Sequence, residues 1–231
     1  MGIYAKVGKR NFSPIKEGLY PAVLVGAYDI GTVTNTTYKS RNRKVVLSWQ
    51  VQDETIIIQK DGELVEVNRE ISKVYTLSMH ERANLRQDLE SWRGRKFKSD
   101  EDAESFDIGS MLGQSCLLNI VHSYSGGKVY ANIDGITSLI KGQKPVEPEG
   151  TLISYSIETD GLDIPEATPK WIREKIVAAP EYEAITRAGN SDEPPPNLFS
   201  DVPDIPGNEG IPAVVATGEY LKPGEQSECP F

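Results

Sequence analysis

The sequence contains few of the residues on which metalloenzymes and hydrolases depend. Among 231 residues there are two cysteines and two histidines, which leave little for a zinc site or a Ser-His-Asp triad. Two cysteines also make a poor disulfide framework and suit a reducing compartment. No run reaches the ~18 uncharged apolar residues of a membrane span, and the first residues lack the apolar core of a secretory signal. We therefore expect a soluble, cytoplasmic protein without a metal or another cofactor.

Carboxylates are the remaining candidates for catalysis, as ligands of Mg²⁺ in a nuclease. They cluster at 53–54, 61–63 and 100–104, in turns or at a helix start, where carboxylates are expected for local reasons. No histidine or lysine converges on them in the sequence, and the chain lacks a Gly-rich phosphate loop. The sequence therefore disfavours an enzyme.

Charge is distributed unevenly along the chain, whose net charge is −9. Residues 1–144 contain 20 basic and 17 acidic side chains, whereas residues 145–231 contain 5 basic and 17 acidic ones. From residue 188 onward, 8 of the 15 prolines and 8 acidic residues accompany one lysine, a composition that cannot bury enough apolar surface to offset chain entropy. We expect a mildly basic domain at 1–144, a linker with a strand and a helix at 145–187, and a disordered acidic Pro-rich tail at 188–231.

Apolar residues that alternate with other residues predict that the first half of the body is β-structure. Strands are expected over 19–30 and 44–53, and the polar residues at 31–43 predict a long exposed loop between them. Asp61-Gly62 is a strong hairpin signal, and apolar residues on both sides of it extend the sheet.

A helix and two further strands are expected to complete the body. Ser78 and Glu81 have the spacing of a capping box that opens a helix over 81–92, and the Gly94 region stops it. Strands at 116–124 and 128–140 form a hairpin. Three strand units, a helix and a two-stranded hairpin are the element order of a five-stranded OB-fold barrel, so the expected fold is mainly β with a helix between the third and fourth strands and an appended C-terminal helix.

Basic and aromatic residues alternate near the first two strands, as binding of a nucleic-acid single strand requires. The loop between these strands is one of the two binding loops of an OB barrel. Side-chain parity places Tyr20 and Tyr28 on one face of the first strand, and Trp49 on the core face of the second. The candidate DNA-binding residues are Lys39, Arg41, Arg43, Lys44 and Lys128 for phosphates, and Tyr20, Tyr28, Tyr38 and Tyr130 for bases.

A second group of basic residues follows the predicted helix. It could track a bound strand or only balance the acidic residues at 100–104. Its members are Arg93, Arg95, Lys96 and Lys98.

The chain ends in a short motif that suits protein docking. Glu228, Pro230 and Phe231 place an aromatic ring and a carboxylate next to the terminal carboxylate, and a basic pocket on a partner could bind these groups. Bacterial single-stranded DNA-binding proteins end similarly in Asp-Ile-Pro-Phe, although Cys229 here replaces the isoleucine.

The body resembles the single-stranded DNA-binding OB proteins encoded by bacteriophages. The resemblance spans roughly residues 15–187 and rests on three stretches: the run from Leu85 to Phe97, Phe106-Asp107-Ile108 with Leu112-Gly113, and Pro169-Lys170-Trp171-Ile172. It implies a role in phage DNA replication or recombination in the cytoplasm of an infected bacterium.

We therefore expect a non-catalytic protein that binds single-stranded DNA without strong sequence preference and protects it. The acidic tail would shield the binding groove and recruit replication or recombination proteins, and the chain could also form homo-oligomers. The alternative is a phage adaptor or host-takeover protein whose OB-like body binds protein. An RNA-binding protein would share nearly all of these features.

Overall fold

The structure is a computed structural model that describes residues 13–35, 40–60 and 62–189. Only the first two residues of the tail expected at 188–231 fall within these ranges. None of the helices in the described residues is long and apolar enough to cross a membrane.

The body is mainly β, with five long strands joined in one antiparallel path. Their order across the sheet is β3-β2-β1-β4-β5, and the two end strands, β3 and β5, approach each other. The sheet thereby curls into a half-barrel that is consistent with an OB-like fold. The strands are β1 (Gly18–Asn35), β2 (Ser40–Lys60), β3 (Glu63–Thr76), β4 (Ser115–Ser125) and β5 (Lys128–Thr137).

The expectation of a long exposed loop over 31–43 is wrong. β1 continues to Asn35 and β2 begins at Ser40, and the two strands pair across this region, with Thr34 opposite Arg41 and Thr32 opposite Arg43. Threonine has a high strand propensity, and cross-strand partners satisfy the polar backbone. Arg41 and Arg43 therefore lie on paired strands and not in a loop.

A β-bulge in β1 changes which of its side chains face the inner core and which face the outer side of the sheet. Leu24 pairs with Trp49 and Gly26 with Ser48, so Val25 is an extra residue between the two pairs. An extra residue reverses the alternation of side chains beyond it. Leu24 accordingly points into the inner core of the half-barrel, whereas Tyr28 belongs to a separate outer cluster.

The inner core is closed by the segment between β3 and β4. This segment forms α1 (Asn84–Arg93), α2 (Asp100–Glu104) and a short 3₁₀ helix (Ile108–Met111). Trp92 of α1 packs with its ring centroid 6.1 Å from that of Trp49, so the core position expected for Trp49 is confirmed. Gly94 ends α1 with φ = 66°, a left-handed conformation that favours glycine at a helix end.

The expected capping box does not open α1. The helix begins at Asn84, after Ala83, which has no side-chain cap. Ser78 Oγ instead accepts a long 3.4 Å hydrogen bond from the backbone N–H of His80. A capping box needs helical backbone directly after the Ser, and here two loop turns intervene.

The C-terminal extension covers the outer face of β1. It contains β6 (Ile153–Tyr155), α3 (Ile157–Asp160), α4 (Lys170–Val177) and α5 (Pro180–Gly189). β6 adds to β1 as a parallel strand, with Tyr155 opposite Tyr28, and Ile172 and Ile176 of α4 are buried in the outer cluster. The sequence analysis expected one strand and one helix within 145–187, and β6 and three helices begin in this region.

Shortening a side chain in the outer cluster should destabilise the protein. Ile172 is fully buried, so Ile172→Ala should lower the free energy of unfolding by about 2–4 kcal/mol through lost burial and a residual cavity. Val177→Ala on the same helix is a matched control, because Val177 is 48% exposed and should change stability by less than about 0.5 kcal/mol. Urea unfolding measures both values, and equal stabilities of the two variants would contradict this packing.

Candidate nucleic-acid interface

Arg43 joins the extension to the sheet, which makes it a poor ligand for phosphate. Its guanidinium forms ion pairs with Asp29 of β1 and Glu158 of α3. Asp29 is buried and also accepts the backbone N–H of Gly31 at 3.0 Å. The hydrogen bond to Asp29 raises the pKa of Arg43 further above its ordinary value. Two carboxylates already bind three of its five donors, and this pairing disfavours Arg43 as a phosphate ligand.

Tyr28 is also unavailable to a ligand. It is 3% exposed in the outer cluster, and burial raises the pKa of its hydroxyl to about 12. The bulge at Val25 places Tyr28 on the opposite face from Tyr20, contrary to the sequence parity. Base stacking requires an exposed ring face, so the assignment of Tyr28 as a stacking residue is wrong.

The remaining candidates near β1 and β2 differ in their exposure. Tyr20 is half-buried and packs against the inner core. Arg41 is exposed on the β1–β2 hairpin. Lys44 is half-buried, and its Nζ donates to Thr76 Oγ1 at 2.7 Å. Tyr38 and Lys39 lie outside the described residues, as do Glu228, Pro230 and Phe231 at the chain end.

The β4–β5 hairpin offers two tyrosine rings to solvent. Tyr130 is 48% exposed, and it pairs with Ser123 on one face of the hairpin. Tyr124 pairs with Val129 on the other face and is 77% exposed. Lys128 is exposed at the turn. Side-chain parity does not predict that Tyr124 is exposed, because it places Tyr124 on the same face as core residues of β4. The β4–β5 hairpin extends beyond the end of the barrel, and Tyr124 lies on the part that extends.

A cavity of about 570 Å³ lies where the end of β3 meets the loop into α1. Its basic lining residues are Lys44, Lys73, His80 and Arg82, and none of its described lining residues is acidic. We call this cavity the basic pocket. Of these four residues, only Lys44 is a DNA-binding candidate on sequence grounds. The signal for the others was weak, because Lys73, His80 and Arg82 form no contiguous basic run and lie far from Lys44 in the sequence.

The second basic group is split by the structure. The Arg93 guanidinium stacks on Phe97 at 4.2 Å and on Phe106 at 4.6 Å from the ring centroids. Arg95, Lys96 and Lys98 are exposed. Arg93 therefore stabilises the turn after α1, while the other three remain available to an anion.

Within 13–35, 40–60 and 62–189, no group of three or more His, Cys, Asp or Glu residues is placed to hold a metal ion. Cys116 is buried, and burial raises the pKa of its thiol above the ordinary value. No protein-family model matches the chain, and no curated protein is significantly similar to it.

Removing the Arg43 side chain should affect stability. Arg43→Ala leaves the buried Asp29 without its cation and should lower the free energy of unfolding by roughly 1–3 kcal/mol. Arg41→Ala, two residues away on the same strand and exposed, should leave stability unchanged. Urea unfolding of both variants tests this difference, and an unchanged Arg43→Ala protein would show that the ion pairs do not hold the extension.

Proposed function

We propose that this protein binds single-stranded DNA without strong sequence preference, on an OB-fold barrel. The observation that carries the proposal is the exposure of Tyr124 and Tyr130 next to Lys128 on the β4–β5 hairpin. The loop between the last two strands is one of the two binding loops of OB barrels. Each ring can stack a base, and the lysine can neutralise the adjoining phosphate.

The second binding loop of the OB pattern supplies further cations. Arg41 is exposed on the β1–β2 hairpin, and Lys44 lies at the start of the same β2 strand. With Lys128 they form a set of cations on both binding loops. A strand that contacts both loops would be held mainly through its backbone.

Weak sequence preference follows from the groups available. Tyrosine rings stack on every base. Asn132, the amide nearest to Tyr130 along β5, donates to Ser123 Oγ at 2.8 Å and to the Tyr130 carbonyl at 3.1 Å. Its donors are therefore already used within the hairpin and do not read base edges.

In this proposal the acidic tail regulates DNA binding and binds partner proteins. Residues 188–231 contain 8 acidic side chains and one lysine. Such a segment competes with DNA for cations, and its end at Pro230-Phe231 would dock to replication or recombination proteins. If the resemblance to phage proteins holds for function, this activity would serve phage DNA replication or recombination in the host cytoplasm.

The proposal is tested by fluorescence anisotropy of labelled oligo-dT, oligo-rU and a duplex, at two salt concentrations. Oligo-dT should bind more tightly than duplex, with an affinity that falls as salt rises. Tyr130→Ala and Tyr124→Ala should each weaken oligo-dT binding by about 5- to 150-fold, the equivalent of ~1–3 kcal/mol per stacked base.

Matched variants distinguish a loss of base stacking from a loss of folding. Tyr130→Phe and Tyr124→Phe keep the ring and should bind as the parent does. A chain that ends at residue 189 keeps α5 whole and should bind more tightly if the tail shields the groove. If the alanine variants bind oligo-dT as tightly as the phenylalanine variants do, the two tyrosine rings do not stack on bases. Absence of oligo-dT binding by the parent protein would overturn the proposal.

One observation favours the second candidate, a protein-binding adaptor. The far ends of β2 and β3 pair with each other beyond the bulge between Val51 and Thr55 and expose Ile57 at 64% and Leu64 at 74%. Exposed aliphatic residues on a hairpin are typical of protein contacts. Absence of binding to every oligonucleotide, together with loss of a partner on Ile57→Ser, would support this function instead.

A further inference from the structure

The basic pocket combines four cationic or proton-donating side chains from three parts of the fold. Lys44 comes from the start of β2, Lys73 from β3, and His80 and Arg82 from the loop that leads into α1. None of the described lining residues carries a carboxylate. Groups of one sign that face a shared cavity repel each other, so a ligand of opposite charge stabilises the arrangement.

Both lysines keep free donors inside the pocket. Lys44 Nζ donates one hydrogen bond to Thr76 Oγ1 at 2.7 Å. Lys73 Nζ lies 2.7 Å from Asp88 Oδ2, and Asp88 also accepts the Tyr75 hydroxyl at 2.8 Å. An ammonium group has three donors, so each lysine retains two beyond these contacts. Asp88 fixes Lys73 from outside the lining.

His80 and Arg82 are oriented by their own loop. His80 Nδ1 accepts the backbone N–H of Arg82 at 3.2 Å, so the neutral ring carries its proton on Nε2 and presents a donor. Arg82 is exposed, and its guanidinium forms no ion pair with any other described residue. A guanidinium of this kind can bind two oxygens of one anion at once.

We propose that the basic pocket binds a phosphate group. Phosphate oxygens accept hydrogen bonds from several directions, which matches donors from two strands and a loop better than a planar carboxylate does. The assignment rests on the proposed function for the source of the group, a phosphate of the DNA strand. That phosphate is an internal phosphodiester or a 5′-terminal phosphate, and the chemistry of the pocket is shared by both.

The first test is an NMR titration of the full chain with inorganic phosphate. Phosphate should shift the backbone amide signals of 73–76 and 80–84, with small changes elsewhere. Unshifted signals in these two segments would overturn the proposal. Titration with oligo-dT, with and without a 5′-phosphate, then distinguishes the sources: equal shifts indicate a backbone phosphodiester, and shifts that require the 5′-phosphate indicate a strand end.

The second test removes two cations and compares the result with a matched loss of charge. Lys73→Gln with Arg82→Gln should weaken oligo-dT binding and lower the slope of log affinity against log salt by about 1.4, at ~0.7 per lost phosphate contact. Lys141→Gln with Lys144→Gln removes the same charge from two exposed positions after β5 and should lower the slope less.

The two proposals fail in different ways. If the pocket variant binds oligo-dT as the charge-matched control does, the pocket assignment is overturned while the proposed function stands. If the parent protein binds no oligonucleotide but phosphate still shifts the signals of 73–76 and 80–84, the proposed function fails and the pocket remains a phosphate site.

Discussion

The reversal of side-chain alternation at Val25 is the constraint on which the rest of the structure depends. It determines which residues of β1 enter each core: Leu24 and Ala27 belong to the inner core, and Tyr28 and Ile30 to the outer cluster. An apolar outer face must be covered, since leaving it in water costs about 25 cal/mol per Å². The extension from β6 to α5 provides this cover, and the ion pairs of Arg43 with Asp29 and Glu158 fix it in place.

The covered face determines where a ligand can bind. OB proteins commonly use the face of strands 2 and 3, but here Val46 of β2 is buried in the outer cluster that contains Ile172 and Ile176 of α4. The surfaces left open are the hairpins and the β3 edge next to α1, and these are also the places where exposed tyrosines and unpaired cations occur. In our account the extension therefore moves the DNA path toward the rim of the half-barrel.

Local signals in the sequence were sufficient to predict most of the strands and helices of the body. Gly62 and Gly94 both have a positive φ and act through their own backbone preferences, and alternation at 44–53 placed Trp49 in the core correctly. The site could be predicted only in part. Val25 gives no sign that it is a bulge, so Tyr28 was assigned to the wrong face, and the role of Arg43 depends on Glu158, which is 115 residues away.

The central claim, that DNA contacts the hairpin and the rim instead of the extension, is tested most directly by photo-crosslinking. Oligo-dT that contains 5-iodo-deoxyuridine would be irradiated with the full chain, and the adducts located by mass spectrometry. The account predicts adducts on Tyr124 or Tyr130. Adducts confined to Trp171 and Tyr182 of the extension, both aromatic and both at least partly exposed, would contradict it.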